Sequence, residues 1–97
     1  MRRVMVRYTV KPDCVEDNVR RIQAVFAQLD RERPAGLRYA SFRAGDSFVH
    51  IASIEIADNP LTALAAFKEF TSTIKDRCLE PPVTLELEEV GSYRLMQ

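Results

Sequence analysis

The order and two-sidedness of the apolar segments constrain this chain more than any other feature. They run strand, helix, strand, strand, helix, strand, and several of the strands carry apolar side chains on both faces. Two helices cover only one face of a four-stranded sheet, so the opposite apolar face needs another layer. A second copy of the chain is the layer expected. At 97 residues the chain makes one domain, 1–97, and a domain of that size buries only about two thirds of the surface its unfolded form exposes. A partner that extends the core therefore adds stability.

Residues 3–10 place Val4, Val6, Tyr8 and Val10 on one face and Met5, Arg7 and Thr9 on the other, the period of two of a strand. Pro12 and Asp13 stop it, and Asp13 with Glu16 three residues on predicts a capping box. The helix that follows carries Val15, Val19, Ile22, Phe26 and Leu29 as its sheet-facing stripe, and Pro34 and Gly36 end it. Residues 37–44 predict a second strand, with Gly45-Asp46-Ser47 as hairpin turn chemistry. In the third strand, 48–56, Phe48, His50, Ala52, Ile54 and Ile56 oppose Val49, Ile51, Ser53 and Glu55. Such continuous apolarity marks a central strand covered on both faces.

Asn59-Pro60 predicts the start of a second helix running to about Cys78, with Leu64, Phe67, Thr71, Ile74 and Cys78 inside. After Pro81-Pro82, residues 83–90 alternate Val83, Leu85 and Leu87 with Thr84, Glu86 and Glu88, as an edge strand does. The tail from Ser92 to Met96 is apolar enough to be expected against a partner chain. Right-handed crossovers that put both helices on one face leave the α+β, ferredoxin-like βαββαβ arrangement, an antiparallel sheet of order 4-1-3-2. Its first and third strands are central, in keeping with their two apolar faces.

Lys plus Arg and Asp plus Glu balance at 14 each, which gives no basic footprint for nucleic acid. No apolar run reaches the roughly 18 residues of a membrane span, and Met1-Arg2-Arg3 leads directly into a strand rather than a signal core. A soluble, cytoplasmic protein is expected, with neither nucleic acid nor membrane as partner. Two cysteines and one histidine suggest neither a disulfide framework nor a zinc site, and neither metal nor other cofactor is expected. No Gly-rich phosphate loop, nucleophile elbow or spaced carboxylate pair is present.

His50 is the one side chain that titrates near neutrality without special help, and it sits mid-strand. A two-residue hairpin loop would set Ser41 opposite His50 with Tyr39 and Arg43 on the same face. A three-residue loop would instead oppose Phe42 and dissolve the cluster. Val4, Val6, Tyr8, Phe48, His50 and Ala52 should share the helix-facing side, where small Ala52 and Ser41 leave room for a ligand beside Val19, Phe26 and Phe67. No carboxylate is expected on that face. Arg7 and Arg38 are expected to be solvated or paired with Glu86 and Glu88 rather than to bind an acidic substrate, and Phe42, Phe67 and Phe70 to be core. Cys14 and Cys78 should meet at one end of the sheet, and the helix dipole is expected to lower the Cys14 thiol pKa, which leaves a thiol-redox role open.

The stretches Val4-Met5-Val6-Arg7-Tyr8-Thr9-Val10-Lys11-Pro12, Ser47-Phe48-Val49-His50-Ile51 and Pro81-Pro82-Val83 through Val90-Gly91-Ser92-Tyr93 resemble the dimeric α+β barrel proteins. Within them the likeness is to the antibiotic biosynthesis monooxygenase group, in an uncharacterised bacterial branch. The resemblance covers almost the whole chain and implies a homodimer of two sheets packed face to face, helices outside, with a small-molecule cavity in each subunit. Haem-degrading relatives use an Asn on the first strand with a Trp and a His on helices. This chain has Val6 near the Asn position, no Trp and its His on a strand, which disfavours haem.

Two functions follow as expectations. One is a cofactor-independent, monooxygenase-like enzyme acting on a small aromatic or apolar compound, with His50 and Tyr8 catalytic and Tyr39, Ser41, Arg43 and Phe48 binding substrate. The other is a non-catalytic dimeric module that binds a small ligand or only assembles. An open cavity reaching His50 would favour the first, and side chains filling that space the second.

Overall fold

A computed structural model describes residues 2–94. Strand β1 (Arg2–Thr9) leads through a single 3-10 turn into helix α1 (Val15–Glu32), followed by β2 (Leu37–Ala44) and β3 (Ser47–Ile54). A second 3-10 turn (Pro60–Ala63) precedes helix α2 (Ala65–Arg77), and β4 (Val83–Leu87) closes the sheet. The four strands lie in the order β2-β3-β1-β4 with every pair antiparallel. This is the ferredoxin-like order read from the sequence.

Register fixes which side chains share a face. One face carries the rows Tyr39–Ala52–Val4–Glu86 and Ser41–His50–Val6–Thr84, beside Arg43–Phe48–Tyr8. The helices cover this side, and Tyr8, Phe48, Ala52 and Ile54 join Val25, Leu61, Leu64, Phe70 and Ile74 in the core. The opposite face carries Ala40–Ile51–Met5–Leu85 and Phe42–Val49–Arg7–Val83. Phe42, Val83 and Leu85 are more than 40% exposed there (48%, 43% and 41%). The apolar side of β4 thus joins the uncovered face, so β4 is wet on its helix side.

The hairpin settles on the two-residue form, with Ala44 paired to Ser47. Gly45 at the first loop position has φ of +65° while Asp46 stays at negative φ, the pattern of a type II′ turn, whose twist matches that of the flanking strands. At the exit of α1, Gly36 has φ of +76°, and a Cβ added to it would lie 2.7 Å from Ile56 Cγ2. Gly36→Ala is therefore expected to lower stability by about 1–3 kcal/mol, measured by urea unfolding. Wild-type stability in that variant would mean that the loop re-forms freely.

Several local expectations are corrected. Asp13 does not cap α1: it sits in the 3-10 turn Pro12–Cys14, Cys14 takes the cap position without a side-chain bond, and Glu16 pairs with Arg43 instead. Pro12 starts helical geometry one turn early, which removes the box. Asn59 does cap, its side chain accepting from Leu61 N at 3.0 Å, but it caps the 3-10 turn, and extended Leu64 separates that turn from α2. The inner stripe of α2 consequently runs through Phe70, Ile74 and Arg77, with Thr71 exposed. Phe70 is core and Phe67 half-buried, whereas Phe42 lies on the uncovered face. Arg38 pairs with Glu55, and Glu86 with Arg2.

The two cysteines do come to one end of the sheet. Cys78 bridges Val10, four residues before Cys14, and Leu79 N donates to Thr9 O at 3.0 Å. Both thiols are free, and neither is activated. Partial burial and the adjacent Asp13 carboxylate push the Cys14 thiol up rather than down, and burial does the same to Cys78. A raised thiol pKa removes the thiolate that redox chemistry would need.

Candidate functional site

The helix-facing rows bring His50 into a layer of polar atoms inside an otherwise apolar core. His50 is 5% exposed, and both ring nitrogens are engaged. Nε2 lies 2.6 Å from the Tyr8 hydroxyl, while Nδ1 lies 2.6 Å from Ser41 Oγ and 3.0 Å from the Tyr39 hydroxyl. Ser41 reaches it because the tight hairpin sets the two residues directly opposite. Tyr8 comes diagonally, from the register position beside Phe48.

Ring packing holds these groups in place. Phe48, Tyr8, His50, Tyr39 and Phe26 form a row of nearly parallel rings, with successive centroids 5.6, 5.3, 6.0 and 5.2 Å apart. Phe70 meets His50 edge-on at 5.5 Å. Offset and edge contacts of this kind fix ring orientation as well as burying area, so the hydroxyls approach the imidazole along defined directions.

Two residues not anticipated from sequence complete the cluster. Asn18, fully buried on α1, donates from Nδ2 to the Tyr8 hydroxyl at 3.0 Å. Its Oδ1 accepts from Nε of Arg77, 4% exposed at the end of α2, at 2.9 Å. Arg77 also donates to Thr73 Oγ1 at 2.7 Å and places its guanidinium 5.0 Å from the centre of the Phe70 ring. A cation at a helix C-terminus is favoured by the dipole, which offsets part of its desolvation. The sequence signal was there: Asn18 and Arg77 are polar residues at positions within otherwise apolar stripes.

A cavity of about 280 Å³ opens beside this cluster, lined by Val4, Val6, Tyr8, Tyr39, His50, Ala52, Phe67, Phe70 and Ile74 among others. Its walls are largely apolar; the Tyr8 and Tyr39 hydroxyls and His50 supply polar groups from the sheet, and Arg2, Asn59, Thr71 and Thr84 add others. That composition is usual for small-molecule sites, and the volume lies near the lower end of their range, about 300–1,000 Å³. No carboxylate lines it, although Glu86 shares the face by register and pairs with Arg2 at the rim. Of the predicted site residues, Tyr8, Tyr39, Ser41 and His50 are brought together. Phe48 buttresses Tyr8 from behind without lining the cavity. Arg43 is not brought in: it donates to Gly45 O at 2.7 Å and pairs with Glu16 at the hairpin end.

Burial shapes the ionisation. It lowers the His50 pKa to about 4, raises that of Tyr39 to about 12, and pushes Tyr8 up further still, so all three are neutral at pH 7. Between about pH 6.5 and 4 the unfolded chain binds a proton at His50 that the folded chain does not. Folding stability should therefore fall as the pH drops through that window, by about 3 kcal/mol in full. Urea unfolding at pH 7 and pH 4.5 checks this against His50→Gln, which should flatten the pH dependence; an unchanged slope would place the His50 pKa near its ordinary value. Among the described residues no group of three or more His, Cys, Asp or Glu side chains could hold a metal ion, and no helix is long and apolar enough to cross a membrane.

No protein-family model matches the chain, and no curated protein matches it. Solved structures do. A candidate antibiotic biosynthesis monooxygenase from Nitrosomonas europaea is 18% identical with a TM-score of 0.75, over 92% of this chain and 89% of that one. One from Caulobacter crescentus is 15% identical with a TM-score of 0.71, over 93% and 90%. A conserved protein from Methanosarcina mazei is 13% identical with a TM-score of 0.74, over 91% of both chains. At these identities the likeness establishes the fold across nearly the whole length, and chemistry must be argued from the site.

Proposed function

We propose that this protein is a cytoplasmic homodimer of the antibiotic biosynthesis monooxygenase group that oxidises a small aromatic or otherwise apolar compound without metal or flavin. The observation that carries the reading is the apolar cavity of about 280 Å³ with His50 and two tyrosine hydroxyls at its polar end. The naming of structural neighbours from Nitrosomonas europaea and Caulobacter crescentus as candidate monooxygenases supports it.

The site can take a proton from a weakly acidic substrate. The substrate's acidic bond breaks and its proton passes to Tyr8 Oη, while the proton of Tyr8 crosses the 2.6 Å hydrogen bond to His50 Nε2. The products are a substrate anion in the cavity and an imidazolium held between Tyr8 and Ser41. The anion is the electron donor to dioxygen in this reading. Tyr39 and Ser41 orient the imidazole from Nδ1, and the apolar walls exclude water and select an apolar body.

One observation favours the alternative of a non-catalytic ligand-binding module: burial leaves His50 a weak base, with a pKa of about 4. Oxygen uptake measured with a panel of small phenolic and other aromatic compounds, in chelator-treated buffer, separates the two. Uptake that depends on one compound class supports the enzyme. Saturable binding, seen as perturbed Tyr8, Tyr39 and His50 signals with no uptake, supports the module.

A further inference from the structure

The hydrogen bonds around His50 have a direction, and it is set at the far end of the cluster. A guanidinium only donates. Arg77 Nε lies 2.9 Å from Asn18 Oδ1, which fixes that atom as the acceptor and turns Nδ2 toward Tyr8 Oη at 3.0 Å. The Tyr8 oxygen therefore already accepts a hydrogen bond from Asn18. Its own hydroxyl proton then has His50 Nε2, 2.6 Å away, as its acceptor.

We propose that Asn18 and Arg77 are positioning residues that lock His50 in the tautomer protonated on Nδ1, leaving Nε2 as the proton-accepting atom that faces Tyr8. The Nδ1 proton is in turn received by Ser41 Oγ at 2.6 Å, with Tyr39 Oη at 3.0 Å. Reversing the tautomer would make Tyr8 Oη accept from both Asn18 and His50 and strand its hydroxyl proton in a buried site. Leaving a buried donor unmade disfavours that arrangement by roughly tenfold to a hundredfold. The arrangement takes its catalytic meaning from the reading of His50 as proton acceptor, on which it rests: only an unprotonated Nε2 can take the proton that Tyr8 passes on.

The test needs neither substrate nor turnover. His50 is the single histidine in the chain, so ¹⁵N-histidine labelling yields one pair of ring nitrogens. A long-range ¹H–¹⁵N correlation at pH 7 should show Nδ1 at the shift of a protonated ring nitrogen and Nε2 at that of an unprotonated one. The opposite pattern, or two averaged shifts, overturns the proposal. Asn18→Asp should exchange the two assignments: its second carboxylate oxygen accepts a hydrogen bond from the Tyr8 hydroxyl, and Tyr8 Oη can then only accept from His50 Nε2. Asn18→Leu, which removes the donor to Tyr8 without adding charge, should release the lock and give averaged shifts. Retention of the Nδ1-protonated pattern in either folded variant also overturns it, and if neither variant folds the wild-type assignment decides. The Nδ1-protonated pattern with no oxygen uptake for any compound would remove the enzymatic reading and leave this one standing.

Discussion

Light scattering on the wild-type chain at micromolar concentration is expected to report twice the mass of one chain, and Ile51→Glu is expected to abolish that dimer. The row Ala40–Ile51–Met5–Leu85 runs apolar across all four strands on the side the helices leave uncovered. Leu85 at its end, and Phe42 and Val83 in the neighbouring row, are more than 40% exposed (41%, 48% and 43%). Soluble monomers seldom expose contiguous apolar patches beyond roughly 300–600 Å², and a second sheet packed face to face would remove this one from water. Ile51, on central β3, would lie near the middle of that interface. A carboxylate there would be buried without a partner, at a cost of about 3–5 kcal/mol, which weakens association at least a hundredfold. The variant should run as a monomer with a lowered melting temperature and a tendency to aggregate. A wild-type monomer, or an Ile51→Glu dimer of unchanged stability, would defeat the paired-sheet assembly.

The tail bears on the same assembly. Val90 and Tyr93 are 97% and 80% exposed, apolar surface that a partner chain would cover. The expectation that residues Ser92–Met96 cross onto a partner falls partly on Leu95 and Met96, which lie outside the described residues.

Strand order and faces were legible in the sequence because both follow from a period of two and from the handedness of crossovers, neither of which depends on long-range detail. Tyr8 and His50 could be placed on one face for that reason. Their contact with Ser41 turned on the length of one loop, and the sequence left that open between two and three residues. Helix capping was misread at Asp13 because a proline one residue earlier starts a 3-10 turn, a competition between local preferences that spacing alone does not resolve. Asn18 and Arg77 escaped notice for a different reason. Each breaks an apolar stripe, but only the packing of α1 beside α2 brings Asn18 Oδ1 within 2.9 Å of Arg77 Nε and shows what the two residues do. Arg43 was a plausible cluster member on register alone, but its long side chain reaches the Gly45 carbonyl first. A position on a face fixes where a short side chain ends, and much less where an arginine does.

Replacing His50 is expected to remove activity without removing the fold. In His50→Ala the proton leaving Tyr8 has no acceptor, so oxygen uptake with whichever aromatic compound proves active should fall by at least about a hundredfold, the scale of a lost general base. The same change leaves a void in the ring row and strands the Tyr8 hydroxyl, costing about 2–4 kcal/mol, so the melting temperature should drop while the dimer persists. His50→Gln discriminates further, because its amide can still bond Tyr8 or Ser41 but cannot take a proton at neutral pH. It should recover most of the lost stability and none of the uptake. Recovery of uptake in His50→Gln would make the ring a spacer rather than a proton acceptor, and an unfolded His50→Ala beside a folded, active His50→Gln would place His50 among the structural residues of the core.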